Sequence, residues 1–282
     1  MAADDGAIEE IPEKIIEYYE EDEIDSDYDS EAEDGIDDSK KIKSEKWMLG
    51  DKLHRIDGPA LVRYNKHGNV KFEEYYVNGE YREDGPAVIG FYLSGEIRFE
   101  EYYSKDIDND EPTRIEYSRK GSIIVKEWEV NGKYHRKDGP AVIRYYSSHG
   151  VLKILGEYYF IDGKSHREDG PADFSYYGNG IIAIEGYSID GKSHREDGPA
   201  DIKYFKNGKI HMATYMVDDK YHRLDGPAHI EYYENGQILE EDYYVNDELH
   251  RLDGPAIIEY HEDGRIKCEK YYSYGKFEYI KE

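Results

Sequence analysis

From about residue 46 to its end the chain is filled by short runs in which apolar and polar residues alternate, separated by turn residues. The runs can be aligned on a recurring Asp-Gly-Pro-Ala tetrapeptide. Counting from its Asp, position +3 is Ala in seven copies, and +5 is apolar in all eight: Val62, Ile89, Ile115, Ile143, Phe174, Ile202, Ile230 and Ile258. Position +7 is always aromatic: Tyr64, Phe91, Tyr117, Tyr145, Tyr176, Tyr204, Tyr232 and Tyr260. A period of two puts these residues on one face of a half-buried strand. Each run stops at a glycine (Gly68, Gly95, Gly121, Gly150, Gly180, Gly208, Gly236, Gly264). A return run follows, with an apolar residue near +13 and then an aromatic: Tyr75, Tyr102, Trp128, Tyr159, Tyr187, Tyr215, Tyr243 or Tyr271. It closes on a second turn such as Asn78-Gly79, Asn131-Gly132 or Asp190-Gly191. Such pairs suit tight hairpins, whose two central residues both take positive φ.

The tetrapeptide begins at Asp57, Asp84, Asp138, Asp169, Asp197, Asp225 and Asp253, and Asp110-Glu-Pro-Thr is a decayed copy in the one double-length gap. That makes eight repeats, mostly 26 to 28 residues apart, with one interval of 31 where three residues are inserted before Tyr159. Two turns per repeat predict two antiparallel strands per repeat. The proline has no N–H for a sheet ladder, so a corner belongs at each tetrapeptide. On the return limb the apolar phase slips beyond +15, which bends both limbs on one line. The expected fold is all-β: an elongated array of antiparallel β-hairpins, about eight repeats over residues 41–282, bent into a trough. A lead-in strand is expected near Trp47. One repeat cannot bury enough surface to stand alone, so stacking on its neighbours is required.

Charge divides the chain. The full sequence has 64 acidic and 37 basic residues, a net charge of −27. Residues 1–40 contribute 18 Asp and Glu against Lys14 and Lys40. This stretch is too polar to offset the entropy of ordering it, and it reads as a disordered acidic tail. Within it, Pro12-Glu-Lys-Ile-Ile-Glu-Tyr-Tyr reads either as disordered or as the start of a short helix that folds on a partner. Lys40, Lys41, Lys43 and Lys46 then charge the exposed edge of the array, while Lys276, Glu278, Lys281 and Glu282 interrupt its last strand. An acidic surface repels phosphate backbones, so nucleic acid is not an expected partner. The one cysteine, Cys268, forms no internal disulfide, and no apolar run approaches 18 residues. An intracellular, cytoplasmic setting without a signal peptide or membrane span is therefore expected.

Three polar or aromatic rows are candidates for chemistry. His recurs at −3 (His54, His135, His166, His194, His222, His250). Equivalent positions two strands apart are separated by ~9.6 Å, too far to share one ion, so no metal site is predicted. Arg recurs at −2: Arg55, Arg82, Arg136, Arg167, Arg195, Arg223 and Arg251. It reads as an Arg–Asp or Arg–Glu pairing that pins the corner, or as a row for anions. Glu73, Glu100, Glu185, Glu241 and Glu269 recur just before the return aromatic and are expected to neutralise those Arg. Catalysis needs one convergent pocket, whereas Ser165-His166 and Ser193-His194 merely repeat along a line, so neither an enzyme nor a cofactor is expected. The aromatic row at +7 is read as stacking between repeats and as a surface for a partner's strand, helix or peptide.

The segment Tyr232-Tyr-Glu-Asn-Gly-Gln-Ile-Leu-Glu-Glu-Asp-Tyr-Tyr-Val-Asn-Asp-Glu-Leu-His250 resembles the MORN repeat, particularly its longer antitoxin-like bacterial variant. Arrays with the signature His-Arg-x-Asp-Gly-Pro-Ala are similar to those of giant DNA viruses, which would place the protein in host cytoplasm or virion. The resemblance covers about residues 46–282 and implies side-by-side hairpins used as a scaffold and, in some members, at phospholipid membranes. The expected function is a non-enzymatic scaffold for a protein partner, a basic one being suited to the tail. The alternatives are a module at anionic membranes using the Arg row, and an antitoxin-like inhibitor using the tail.

Overall fold

The hairpins form because each turn has the residues its geometry demands. The computed structural model describes residues 11–20, 41–103, 111–148 and 150–281. Every described element is a β-strand or a turn, and no described helix is long and apolar enough to cross a membrane. The second turns take positive φ at both central residues, as at Asn78 (55°) and Gly79 (83°), or Asp190 (52°) and Gly191 (83°). The first turns differ from the two-residue form. In the turn at Asn65–Asn69 the amide of Asn65 donates to the Asn69 carbonyl and that of Gly68 to the Asn65 carbonyl, so three residues make the loop. Only the glycine there is left-handed (φ 82°), the arrangement of a type I turn followed by a bulge.

Each complete repeat contains four short strands where two were expected. In the first they are Leu61–Tyr64, Val70–Glu74, Tyr76–Val77 and Glu80–Tyr81. The first two pair with each other and with neighbouring repeats, while the last two form a separate two-stranded ladder. The return limb breaks at its aromatic because that residue bonds forward instead of across. The Tyr75 amide donates to the carbonyl of Ala87 in the next repeat, and Tyr187 does the same to Ala200. The other limb breaks at the tetrapeptide, so the short two-stranded ladder is set off from the main sheet on both limbs. The tetrapeptide alanines are wholly buried at Ala60, Ala87, Ala141, Ala172, Ala200, Ala228 and Ala256, where any larger side chain would collide with the adjoining strand. In the decayed copy Thr113 takes this place and accepts the amide of Tyr102, while Asp110 lies outside the described residues.

The chain divides between residues 125 and 126 into two compact parts. The first holds the lead-in strand Ile42–Leu49 and a strand that the sequence did not announce, Glu13–Tyr18. Neither helix nor disorder describes that segment. It runs antiparallel to Ile42–Leu49 over its whole length. Long-range polar contacts fix it: Lys14 to Glu45 at 2.9 Å, Glu17 to Ser44 at 2.6 Å, and the Tyr19 hydroxyl to the Tyr64 carbonyl at 2.8 Å. Lys46 also binds Glu17, so it joins two strands and does not guard a bare edge. The rest of the expected tail, residues 1–10 and 21–40, lies outside the described residues. In the second part the closing segment is also corrected: Lys276–Lys281 is an unbroken strand paired with Ile266–Ser273. Stacking of Tyr271 on Tyr279 at 4.1 Å offsets the charges that were expected to interrupt it.

Candidate functional site

The Arg row occupies the corners of the fold. Each guanidinium lies over the ring of the return aromatic seven or eight residues before it. The distances to the ring centre are 4.2 Å for Arg55 on Trp47, 3.6 Å for Arg82 on Tyr75 and 4.1 Å for Arg136 on Trp128. They are 4.2, 4.0, 3.9 and 4.0 Å for Arg167 on Tyr159, Arg195 on Tyr187, Arg223 on Tyr215 and Arg251 on Tyr243. The tetrapeptide glycine covers the opposite face: a Cβ at Gly198 or Gly226 would stand 2.9 Å from the Arg Cζ. In five repeats Nε donates to the tetrapeptide Asp, as from Arg195 to Asp197 at 2.7 Å. A second nitrogen reaches the proline carbonyl, as from Arg223 to Pro227 at 3.3 Å. The pairing with Asp matches the sequence reading, whereas the aromatic bed and the glycine lid were not foreseen. The arginines sit in this cation–π sandwich because a planar, weakly hydrated guanidinium stacks without losing its in-plane donors.

The His row ties one repeat to the next. Nδ1 of His54 accepts the amide of Asn78 at 3.0 Å, and that of His166 the amide of Asp190 at 3.1 Å. His135, His194, His222 and His250 do the same for Asp162, Asp218, Asn246 and Tyr274. Among the described residues no group of three or more His, Cys, Asp or Glu is placed to hold a metal.

The glutamates act on the Arg row only through longer-range charge, as Glu185 does on Arg195, and several of them accept tyrosine hydroxyls. Tyr117 donates to Glu100, Tyr176 to Glu157, Tyr204 to Glu185 and Tyr260 to Glu241, at 2.6, 2.9, 3.2 and 2.8 Å. Burial, helped by the adjacent carboxylate, pushes Tyr176 and Tyr204 up to about 12 and moves Tyr117 and Tyr260 the same way, so all four remain donors at neutral pH. Tyr204→Phe is expected to cost about 1 kcal/mol in stability, the net worth of one such bond, measured by chemical unfolding against wild type.

The whole +7 row is half-buried. A bulge precedes its aromatic at the same place in seven repeats, turning that residue toward an aliphatic one on the return strand. The pairs are Tyr64 with Val70 and Phe91 with Ile97 in the first part. In the second part they are Tyr145 with Ile154, Tyr176 with Ile182, Tyr204 with Ile210, Tyr232 with Ile238 and Tyr260 with Ile266. Tyr117 has the same burial and its own bond to Glu100. The aliphatic partners stay partly open, with Ile97, Ile154, Ile210 and Ile266 exposed by 38, 41, 40 and 54%. Each part therefore carries a stripe of aromatic–aliphatic pairs, rigid on the aromatic side and solvent-facing on the other. The sequence reading had the aromatic half. The aliphatic half was legible as strand periodicity, but its exposure follows from the bulge.

Three carboxyls in the second part were also missed, Asp242 buried and Asp173 and Asp201 half-buried. Asp173, Gly186, Asp201, Thr214, His229 and Asp242 lie on successive strands as cross-strand neighbours. Burial pushes all three carboxyls up, Asp242 to about 7 with the charges of Glu240 and Glu231 adding to the effect. The available signal was Asp at +4 in two repeats, where Leu61, Val88, Val142 and Ile257 stand in four others and Arg114 and His229 in the remaining two.

No family model matches the sequence, and no curated protein matches it. Among solved structures, one similar chain belongs to the crystal structure of TcdB2-TccC3, at 11% identity and a TM-score of 0.19 over 85% of this chain. Another belongs to that of TcdB2-TccC3-Cdc42, at 12% identity and a TM-score of 0.16 over 82%. This chain spans 13 and 12% of their lengths.

Proposed function

We propose that the protein is a non-enzymatic repeat scaffold of the MORN kind that binds protein along its aromatic–aliphatic stripe. The observation that carries this reading is the allocation of side chains. The polar rows with catalytic or ligand-binding potential are spent internally, His on backbone amides and Arg on ring, Asp and proline carbonyl. The aromatic–aliphatic pair recurs in seven repeats and keeps apolar surface open. Tyrosines already held by a hydrogen bond lose little entropy when a partner packs on them, which makes them strong anchors.

The test is affinity capture by the full chain beside an Ile210→Asp, Ile238→Asp variant, with circular dichroism confirming that both are folded. Proteins recovered by wild type and reduced at least tenfold with the variant support the reading. Identical recovery overturns it. The engagement of the Arg row and the net negative charge disfavour the anionic-membrane reading, so no flotation with anionic liposomes is expected at physiological salt. Flotation that Arg167→Ala, Arg195→Ala and Arg223→Ala abolish would replace the scaffold reading with a lipid-binding one.

A further inference from the structure

The stripe has a period that selects the conformation of what can lie on it. In the second part its strands follow one another from Asp173–Tyr176 to Ile266–Ser273, each antiparallel to the next. Tyr176, Tyr204, Tyr232 and Tyr260 stand on alternate strands of this series. Ile182, Ile210, Ile238 and Ile266 stand on the strands between them. Aromatic and aliphatic residues thus alternate along one line, and equivalent positions recur every two strands, or ~9.6 Å. Contacts between successive turns hold that spacing beside the stripe. The Tyr177 hydroxyl donates to the Tyr204 carbonyl at 2.6 Å, and that of Tyr233 to the Tyr260 carbonyl at 2.9 Å. The amides of Asn179 and Asn235 likewise reach the carbonyls of Lys206 and Glu262, at 3.1 and 3.3 Å.

Of the regular chain conformations, one repeats at this distance on a single side. An α-helix rises ~10.5 Å in seven residues and drifts ~2.7 Å from the stripe over three periods. A β-strand advances ~10 Å in three residues, but an odd spacing turns successive contacts to opposite faces. A polyproline II helix has three residues per turn and rises ~9.3 Å with each turn. Every third side chain then faces the stripe, and the drift over three periods is only ~0.9 Å.

The row also has relief and charge suited to such a segment. The isoleucines lie between tyrosines and stay open, Ile210 by 40% and Ile266 by 54%. In the first part the same arrangement leaves a cleft of about 500 Å³ whose lining includes Ile97, Glu100 and Tyr117. Glu157, Glu185 and Glu241 stand at the hydroxyl ends of Tyr176, Tyr204 and Tyr260 and accept those hydroxyls. One flank of the stripe is therefore a row of carboxylates.

We propose that the stripe of the second part binds a polyproline II segment of a partner protein. Proline, or another apolar residue, at every third position fills the hollow over an isoleucine, and basic residues beside it face the carboxylates. A proline-rich segment is already extended in solution, so it loses little entropy on docking. The inference rests on the protein-binding reading and deepens it by giving the conformation and charge of the bound segment.

The probe is a fluorescent peptide of five Pro-Ala-Lys triads, titrated by anisotropy against the full chain at physiological salt. Its control is an isomer of the same composition with the prolines and lysines irregularly spaced. Both carry the same charge, so mere attraction to an acidic protein does not separate them. Saturable binding is expected, at least tenfold weaker for the isomer. Ile210→Asp, Ile238→Asp should also weaken it at least tenfold, although the added charges would strengthen a non-specific attraction. A peptide with Gln for Lys should bind wild type several-fold more weakly, and Glu185→Gln, Glu241→Gln should remove most of that difference. Absence of saturable binding, equal binding of the isomer, or indifference to either pair of substitutions would overturn the proposal. So would tighter binding of a helical peptide with Leu and Lys at heptad spacing. A dimer in sedimentation that Ile210→Asp, Ile238→Asp dissolves would overturn it too, since the stripe would then belong to a second copy. If the peptide fails while that variant still loses its captured proteins, the polyproline reading falls and the scaffold reading stands. If capture is indifferent as well, both fall.

Discussion

Arg223→Ala is expected to loosen its corner by about 2–3 kcal/mol, seen as a roughly 30–150-fold rise in amide exchange at Tyr215 and Ala228. The change removes a cation–π contact worth ~0.5–2 kcal/mol and leaves a gap between the Tyr215 ring and Gly226. It also deletes the bonds to Asp225 and Pro227, at 2.8 and 3.3 Å. Asp225 is 86% exposed and regains water, so that bond adds only a fraction of its nominal worth. Arg223→Lys keeps the charge but lacks the plane that fits between ring and glycine, and should restore less than half of the loss. In a double-mutant cycle, Tyr215→Leu and Arg223→Ala should be coupled by about 1 kcal/mol. Local exchange is the proper readout, because arrays of repeats need not unfold in one step. Exchange that is unchanged, or fully restored by Lys, would show that the stacked geometry does not hold the corner.

Asp242→Asn is expected to stabilise the protein in a pH-dependent way. Asp242 is 7% exposed, its Oδ1 has no hydrogen-bond partner among the described residues, and burial pushes its carboxyl to about 7 from an ordinary 3.8. Between those two values the folded protein holds a proton that the unfolded chain has released. Stability therefore falls as pH rises from about 4 to about 7, and the loss is complete above that window. A shift of this size corresponds to at most ~4 kcal/mol, and relaxation of the site brings the expected gain of the Asn variant at pH 8 to about 2–3 kcal/mol. The amide has the further advantage of donating toward Glu231 or Glu240. Melting curves at pH 4 and pH 8 provide the check: the two proteins should differ little at the lower pH and by several degrees at the higher. A constant difference, or a less stable variant at pH 8, would contradict the assignment.

The repeat frame, the strand face carrying +5 and +7, and the positive-φ turns were all legible because each depends on residues only a few positions apart. The Arg corner was half legible. Asp stands two residues after Arg, a local relation, but the aromatic bed lies seven or eight residues earlier across a turn. The exchange of Trp47 and Trp128 for Tyr at that position was the available hint. Glu185 was assigned to Arg from nearness in sequence, whereas the hydroxyl that reaches it, that of Tyr204, belongs to the following strand. The segment Glu13–Tyr19 left no local trace because its partners, Ser44, Glu45, Lys46 and Tyr64, are 27 to 45 residues away. Charge density there argued for disorder, but Lys14 and Glu17 neutralise partners that composition alone does not reveal.

The His Nδ1 contact has a consequence for how such a chain changes length. In the second part it ties His166, His194, His222 and His250 to an amide 24 residues later each time, and Tyr177 and Tyr233 each reach a carbonyl 27 residues on. Each tie therefore spans one period, and what it meets at the far end is the same backbone group in every copy. Excising or duplicating one whole period, such as residues 197–224, rejoins chemically equivalent ends, and no tie loses the kind of partner it had. Loop closure also stays the same for every added copy, so the sequence distance that folding must bridge does not grow with the number of repeats. Recombination within the gene can thus lengthen or shorten the protein by whole periods without redesigning a junction, while an insertion of any other size must be absorbed inside one hairpin, as the three residues before Tyr159 are.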